Sequence, residues 1–374
     1  MSTETHPANP TADSDKLTFH RARQILTDVA RASKLPGVSI AVADPQGILF
    51  SAAVGFADLA HRRPANVHDQ YPWFSMTKIA TATAAVRLHS EGMLDLDVPI
   101  GTYLTRYRPS ARHGHPTTRQ LLTHTAGLAN PLPIRWVRAD GQPEDQALHD
   151  RIVARYGTPR RTVGAYGAYS NIGYLLAADV MEAVTGQPIQ DCVRDAVLHP
   201  LRMDSTGFTY QAQAPRSTGY MRLSRPLEPL LRLVLPGGLV GARVAGHTSL
   251  RPFLLSGAGF GGLVGSVVDA AKLAAAHAAA PADPHPVLPH ADIQRMRAIT
   301  AAGKPFDHGI GWFRRPADAK RTPPFVEHYG TGVGFWNAMR IYPDQRLAMV
   351  AMANTTSKWD VDGLFTQLRA LPWH

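Results

Sequence analysis

Pro72-Trp73-Phe74-Ser75-Met76-Thr77-Lys78, running into Ile79-Ala80-Thr81-Ala82-Thr83-Ala84-Ala85-Val86, is the stretch from which the rest of the chain can be read. Pro72 and the two aromatic residues end an extended segment, and Ser75 suits a helix start. Residues 76–86 are apolar or Thr apart from Lys78, a pattern without a solvated face, which predicts a buried helix. An ammonium has no place on such a helix, so Lys78 must either be paired or give up part of its charge through desolvation. Ser75 and Lys78 are three residues apart and therefore neighbours on one helix face. A weakly basic amine beside a hydroxyl is a nucleophile with its base, and the free N–H groups of the first turn can serve a developing oxyanion. The competing reading of Ser-x-x-Lys is an N-cap serine followed by a lysine that snorkels to the surface. Against it, this is the only Ser-x-x-Lys in the chain, and the other lysines (Lys16, Lys34, Lys272, Lys304, Lys320 and Lys358) lie in more polar or turn-like settings.

A second informative stretch is Gly164-Ala-Tyr-Gly-Ala-Tyr169-Ser170-Asn171-Ile-Gly-Tyr174, where a glycine-bearing loop delivers Tyr169 and Asn171 just ahead of a helix expected from Ile172 to Gly186. Tyr-x-Asn occurs once in the chain. It reads either as a buried Tyr with an N-cap Asn, or as a phenol that shuttles a proton between nucleophile and leaving group and an amide that holds both the Lys and a substrate carbonyl.

The 374 residues suit one large domain or two intimately joined ones, and 44% hydrophobic with 18% charged residues is ordinary for a soluble globular protein. The net charge of +10 comes mostly from arginines dispersed from Arg21 to Arg369 without a dense block, so no nucleic-acid partner is expected. Cys192, the single cysteine, excludes an intramolecular disulfide and reads as a buried inert thiol. Residues 1–15 are polar and read as a disordered tail without a signal peptide, and no apolar run is long enough to span a membrane. A cytoplasmic enzyme is expected. His113, His115, His285 and His290 have neither a helical His-x-x-x-His spacing nor nearby Cys, and are read as loop histidines with no metal or cofactor between them.

Along the chain, an amphipathic helix is expected from about Leu17 to Ala32, followed by a hairpin of Val38–Ala43 and Ile48–Val54 around Asp44-Pro45-Gln46-Gly47. Helical patterns dominate from Leu94 to about Ala280. Strands then follow at Gly309–Phe313, Phe325–Tyr329, Phe335–Tyr342 and Leu347–Ala353, and a short helix from about Val361 to Ala370 closes the chain. The first hairpin and the last strands are expected to share one antiparallel sheet. Residues 222–255 interleave Leu and Val (Leu230, Leu233, Val234 and others) with Arg, while Pro226, Pro229, Pro236 and Gly237-Gly238 forbid one long helix. A flap over the acyl side of the cleft, a subunit contact in a homo-oligomer and simple packing onto the helical domain all remain open for it.

Ser75-Met-Thr-Lys78, Tyr169-Ser-Asn171 and His328-Tyr-Gly330 together resemble the motifs of the serine β-lactamase and penicillin-binding-protein-like superfamily, in its class C and family VIII esterase branch. Leu121-Leu-Thr-His-Thr-Ala-Gly-Leu128 and the stretch from Gly257 to Asp269 also look like this family, and the likeness covers about Leu17 to the C-terminus. It implies an α+β sandwich in which an antiparallel sheet is flanked by N- and C-terminal helices. Residues 16–80 and 300–374 would form that α/β part, residues 81–299 an inserted and mainly helical part, and the cleft between them the site. By the same resemblance Ser75 would be the acylated nucleophile, Lys78 its base, and Tyr169 the general acid/base. Asn171 would position Lys78 and the substrate. His328, Gly330 and Thr331 would line the cleft from an edge strand, and the N–H groups of Ser75 and Thr331 would form the oxyanion hole. The chain departs at its third motif, where β-lactamases and peptidases of the superfamily carry Lys-Thr-Gly. His is mostly neutral at pH 7 and cannot hold a substrate carboxylate as a fixed ammonium does, which favours an ester, lactone or amide of low acidity. The expectation is a carboxylesterase on small or medium acyl esters. Its alternatives are a β-lactamase, a D-amino-acid peptidase or an acyltransferase of the same fold, and, in a different class, a binding scaffold without turnover.

Overall fold

Eight strands hydrogen-bond into one antiparallel sheet whose order joins the two ends of the chain: Asp307–His308, Phe313–Arg314, Val326–Gly332, Phe335–Tyr342, Leu347–Ala353, Gly37–Asp44, Gly47–Asp58 and Arg63–Pro64. The computed structural model describes residues 10–373 except 109–110, 132–135, 225, 227 and 284–285. The first hairpin lies against the last strand of the sheet in the register Val38↔Ala353 to Ala43↔Ala348, as expected. Its turn is closed by Asp44, whose Oδ1 accepts from the N–H groups of Gln46 (2.8 Å) and Gly47 (3.0 Å).

The two central strands, Gly37–Asp44 and Leu347–Ala353, are buried along their whole length, so they read as unbroken apolar runs and their two faces separate only in space. Val38, Ile40, Val42, Met349 and Ala351 face one way and pack against Ala22 and Leu26 of the Pro10–Ala32 helix and Leu364, Phe365 and Leu368 of the Val361–Arg369 helix. Ala41, Ala43, Ala348, Val350 and Met352 face the other way, toward the helices Val267–Ala278 and Thr77–Ser90. The sheet is thus the middle layer of an α+β sandwich, and the Ser75 helix belongs to the layer that meets the mainly helical part. Val267–Ala278 also packs on the sheet although it lies within residues 81–299.

Several expectations are corrected. The first helix begins at Pro10 instead of Leu17, so residues 10–15 of the expected tail are helical, while residues 1–9 lie outside the described residues. The strand expected at Gly309–Phe313 is confined to Phe313–Arg314, because Gly311 turns the chain at φ +78°. Residues 222–255 form the short helix Glu228–Val234, with Val240–Val244 and His247–Leu250 paired into a small sheet beside Tyr220–Met221; Arg225 and Leu227 lie outside the described residues. Leu230, Leu233 and Val234 face solvent. Among the described residues no helix is long and apolar enough to cross a membrane.

One buried cation fastens the closing helix to the sheet. Arg340 is fully buried, and its guanidinium donates to Glu327 Oε2 at 2.6 and 3.0 Å, reaches Asp362 Oδ1 at 2.8 Å and lies 4.0 Å from the Phe325 ring centre. Truncating one partner of such a pair leaves the other charge buried without compensation, whereas replacing both by apolar residues does not. Arg340→Ala is expected to cost about 3–5 kcal/mol in urea denaturation, and Arg340→Met combined with Glu327→Met to recover most of it. Equal losses in the single and double variants would show that the pair contributes packing alone.

Candidate active site

The chain enters the site under strain. Tyr71–Pro72 pairs with Val264–Gly265, the Trp73 N–H donates to Leu263 O at 2.8 Å, and Phe74–Met76 then makes a 3-10 turn with Phe74 at φ +48°. A left-handed conformation costs a non-glycine residue about 1–2 kcal/mol, and here it is held by the Phe74 ring lying among Phe253 (6.1 Å) and Phe335 (6.3 Å). Ser75 is left partly exposed at the head of the Thr77–Ser90 helix, whose residues Thr77 to Val86 are all buried.

Lys78 is wholly buried, and its Nζ lies 3.0 Å from Ser75 Oγ, 2.8 Å from Asn171 Oδ1 and 3.1 Å from the Phe260 carbonyl oxygen. Burial pulls its pKa well below the usual lysine value. A neutral amine has two hydrogens and one lone pair. The two carbonyl-type oxygens of Asn171 and Phe260 can only accept, so they take both hydrogens and leave the lone pair facing the Ser75 hydroxyl. The snorkelling lysine is thereby excluded. The Phe260 carbonyl is delivered by the turn Ala258–Gly261, entered at Gly257 with φ +104°, where a Cβ would stand 2.1 Å from the Phe260 ring. Asn171 opens the helix Asn171–Thr185, but the cap is Ser170, whose Oγ accepts from the Gly173 N–H at 3.3 Å. The Asn171 amide is therefore free to hold Lys78.

Tyr169 is half-buried, with its ring centre 4.9 Å from Lys78 Nζ and its hydroxyl hydrogen-bonded to Ser75. Burial raises its pKa, and the bond to Ser75 only partly offsets that, so the resting group is a neutral phenol. His328 is buried on the strand Val326–Gly332. Its Nδ1 donates to Tyr329 O at 2.8 Å, which leaves Nε2 unprotonated, and burial, with Lys78 nearby, holds it well below the usual imidazole range. Thr331 stands exposed at the mouth of the cleft. Gly330 does not line it: a Cβ there would lie 2.0 Å from Trp73 O, so this glycine lets the strand close onto the Ser75 turn.

These groups open into a cleft of about 320 Å³. None of its described lining residues carries a formal charge, and Phe306 and Phe313, stacked at 4.0 Å, form an aromatic wall beside His328. Of the described residues among 222–255 only Leu255 reaches the cleft, so these residues do not form a flap over it. Sequence reasoning gave no role to Asn130, whose Oδ1 accepts from the Asn171 N–H at 3.0 Å, to the Phe260 carbonyl or to the aromatic wall. It also gave none to His124, a buried residue at φ +58°; the Leu121-to-Leu128 turn that carries it had been singled out, and a non-glycine at a turn apex was its signal. His113, His115 and His290 lie away from the cleft, His285 lies outside the described residues, and no metal-binding cluster exists among the described residues. A larger groove of about 610 Å³, between Gln146–Tyr156 and Asn171–Thr185, holds His149 3.0 Å from Asp179 but has no serine, cysteine or lysine among its described lining residues.

Residues 22–371 match the family described as Beta-lactamase. Esterase EstB of Burkholderia gladioli is 32% identical over 203 residues, 50% of this chain and 51% of that protein. A D-aminopeptidase of Brucella canis is 27% identical over 173 residues, 46% of this chain and 32% of that protein. The chain thus spans about half or less of the length of these curated relatives. In fold it is similar to the D-amino acid amidase of Ochrobactrum anthropi, with a TM-score of 0.75 at 22% identity, covering 94% of this chain and 99% of that one.

A buried neutral lysine has a signature in stability. Between its depressed folded pKa and the ordinary value of 10.5, the unfolded chain binds a proton that the folded chain does not, so stability rises with pH across that window. From pH 8 to 9.5 wild type is expected to gain up to about 2 kcal/mol relative to Lys78→Met, at about 1.4 kcal/mol per pH unit for one proton. Parallel pH dependences in chemical denaturation would mean that Lys78 is charged in the folded protein.

Proposed function

Because the chain belongs to the β-lactamase family, we propose that it is a serine hydrolase working through a Ser75 acyl-enzyme, with carboxylic esters of small or medium uncharged acyl groups as its substrates. The observation that carries this reading is the wholly buried Lys78 amine 3.0 Å from Ser75 Oγ, with both its hydrogens taken by acceptors.

In acylation the Ser75 proton passes to the Lys78 lone pair as Oγ attacks the substrate carbonyl, and the oxyanion is met by the backbone N–H groups of Ser75 and Thr331. Collapse of the tetrahedral adduct breaks the bond to the leaving alcohol. That oxygen takes the Tyr169 proton, and the tyrosinate is restored by the proton held on Lys78. Water then repeats the sequence on the acyl-enzyme and releases the acid. Asn171 keeps Lys78 aimed throughout and donates its amide N–H to the substrate.

Preference among substrates follows from charge. A D-amino-acid substrate brings an ammonium and a β-lactam a carboxylate, and the described cleft lining offers neither a carboxylate nor a fixed cation to balance them. Each would be desolvated without a partner. His328, neutral and turned with Nδ1 to the Tyr329 carbonyl, cannot replace the lysine of Lys-Thr-Gly. The likeness to an esterase supports the same choice.

A fluorophosphonate probe is expected to leave its adduct on Ser75, seen by peptide mass spectrometry and absent in Ser75→Ala. Lys78→Arg, charged at any working pH, should lower kcat by about 1,000-fold or more with the fold intact. Short-chain p-nitrophenyl esters should show higher kcat/KM than nitrocefin or D-amino-acid amides, and His328→Lys should raise affinity for carboxylate-bearing lactams. Persistent labelling in Ser75→Ala would overturn the mechanism, and a nitrocefin rate above that of every ester would overturn the substrate class.

A further inference from the structure

Tyr169 sits on a loop with no regular structure, yet its hydroxyl must hold its place beside Ser75 through two proton transfers. The residues on either side of it are tied to the same partner. The Ala168 N–H donates to the His124 carbonyl at 2.8 Å, and the Ser170 N–H donates to His124 Nδ1 at 3.1 Å. The His124 ring itself lies on the Tyr169 ring, centres 4.5 Å apart. One residue can grip two amides a residue apart only if its carbonyl and its ring point to the same side, and the left-handed backbone of His124, φ +58°, accomplishes this.

Behind His124 stands a second imidazole. His308 is buried, its ring centre is 4.7 Å from that of His124, and neither of its ring nitrogens has a hydrogen-bond partner among the described residues. A buried polar ring without partners is uncommon and asks for a reason. Its shape supplies one: the ring backs His124 and presses on the Tyr169 loop at Gly167, where a Cβ would meet His308 Cδ2 at 2.8 Å. Gly167 is also held by its N–H donating to Ala302 O at 2.8 Å. The loop is therefore wedged between His124 and the start of the sheet.

We propose that His124, buttressed by His308, is a positioning residue that sets the Tyr169 hydroxyl against Ser75 and Lys78. The role rests on the hydrolase reading above, since Tyr169 matters only if it moves protons. It also requires an uncharged His124, because Nδ1 must keep its lone pair for the Ser170 N–H. Burial first, then the neighbouring His308, Lys78 and His328, hold His124 well below the usual imidazole range, and burial pushes His308 down to about 4 despite the adjacent Asp307.

The test compares His124→Leu, which removes the acceptor, with His124→Asn, which places an amide oxygen near the position of Nδ1 and tolerates the left-handed backbone. Measured on p-nitrophenyl esters, with active sites titrated by a fluorophosphonate, His124→Leu should lose about 10- to 100-fold in kcat with KM within about twofold. His124→Asn should recover most of the loss. A merely structural role would lower the yield of folded protein but leave kcat per titrated site unchanged. Equal kcat in the Leu variant and wild type, or no difference between Leu and Asn, would overturn the assignment. Should His124→Leu not fold, His308→Ala and His308→Phe replace it: the ring-filling Phe should retain more kcat than Ala, and equality would overturn the buttress. Failure of wild type to label at Ser75 or to turn over any ester or amide would sink the hydrolase reading instead. A crystal structure of His124→Asn or His124→Leu then decides the positioning role by itself, through whether the Tyr169 ring has shifted or stayed in place.

Discussion

An amine that cannot reach water is the constraint around which this protein is arranged. Lys78 projects from the buried part of its helix, Thr77 to Val86, and the described surroundings give it three oxygens and no carboxylate. A carboxylate would have made an ion pair and fixed the proton on nitrogen, whereas neutral acceptors leave burial unopposed and hold the lysine as a base. Each oxygen comes from a different part of the chain: Ser75 from the turn before the helix, Asn171 from the head of the helix Asn171–Thr185, and Phe260 from a glycine-rich turn. The convergence of those elements on one nitrogen explains why glycine is needed where the backbones crowd, at Gly257 beside the Phe260 ring and at Gly330 against Trp73.

Much of this was legible in the sequence because it is local. Ser75 and Lys78 are fixed by helix geometry, the hairpin around Asp44 by turn chemistry, and the strands Phe335–Tyr342 and Leu347–Ala353 by continuous apolar runs; all lie where the pattern puts them. Several of the misreadings come from contacts between residues far apart in sequence. Asn171 looks like a cap, but Ser170 has the geometry to cap, and the choice depends on Lys78 lying 93 residues away. Residues 222–255 look like a lid because apolar side chains need a partner, but part of that need is met by a small sheet and part is left unmet at Leu230 and Leu233. Gly309–Phe313 has strand composition, yet Gly311 breaks it. The wall of Phe306 and Phe313 has no periodic signature, being assembled from one loop and one two-residue strand.

Several unfavourable features meet around the candidate site. Phe74 and His124 adopt left-handed conformations, and, among the described residues, the His308 ring nitrogens have no hydrogen-bond partner and buried Lys78 has no counter-ion, all within the surroundings of Ser75 and Tyr169. Such features persist only where the rest of the structure over-determines them. Here the sheet does so, with two strands buried from end to end and a helix layer on each face, reinforced where Arg340 joins Glu327, Asp362 and the ring of Phe325. Glu327 is one residue from His328 on the same strand, so the buried pair on one face of the sheet anchors the strand that presents the imidazole on the other.

Neutrality is the second theme of the site, and it follows from the first. A lysine kept unprotonated by burial would be pushed further from protonation by a cation beside it, because two like charges each disfavour the other's protonation. Three imidazoles, His124, His308 and His328, lie around Tyr169, and burial is the first cause that holds all three below the usual imidazole range. An uncharged histidine in the third motif leaves burial as the cause that lowers the Lys78 pKa, whereas an ammonium in that position would lower it further. The same exchange gives up the group that could bind a substrate carboxylate. A buried amine without a carboxylate and a cleft lining without a formal charge among the described residues are thus two sides of one electrostatic arrangement.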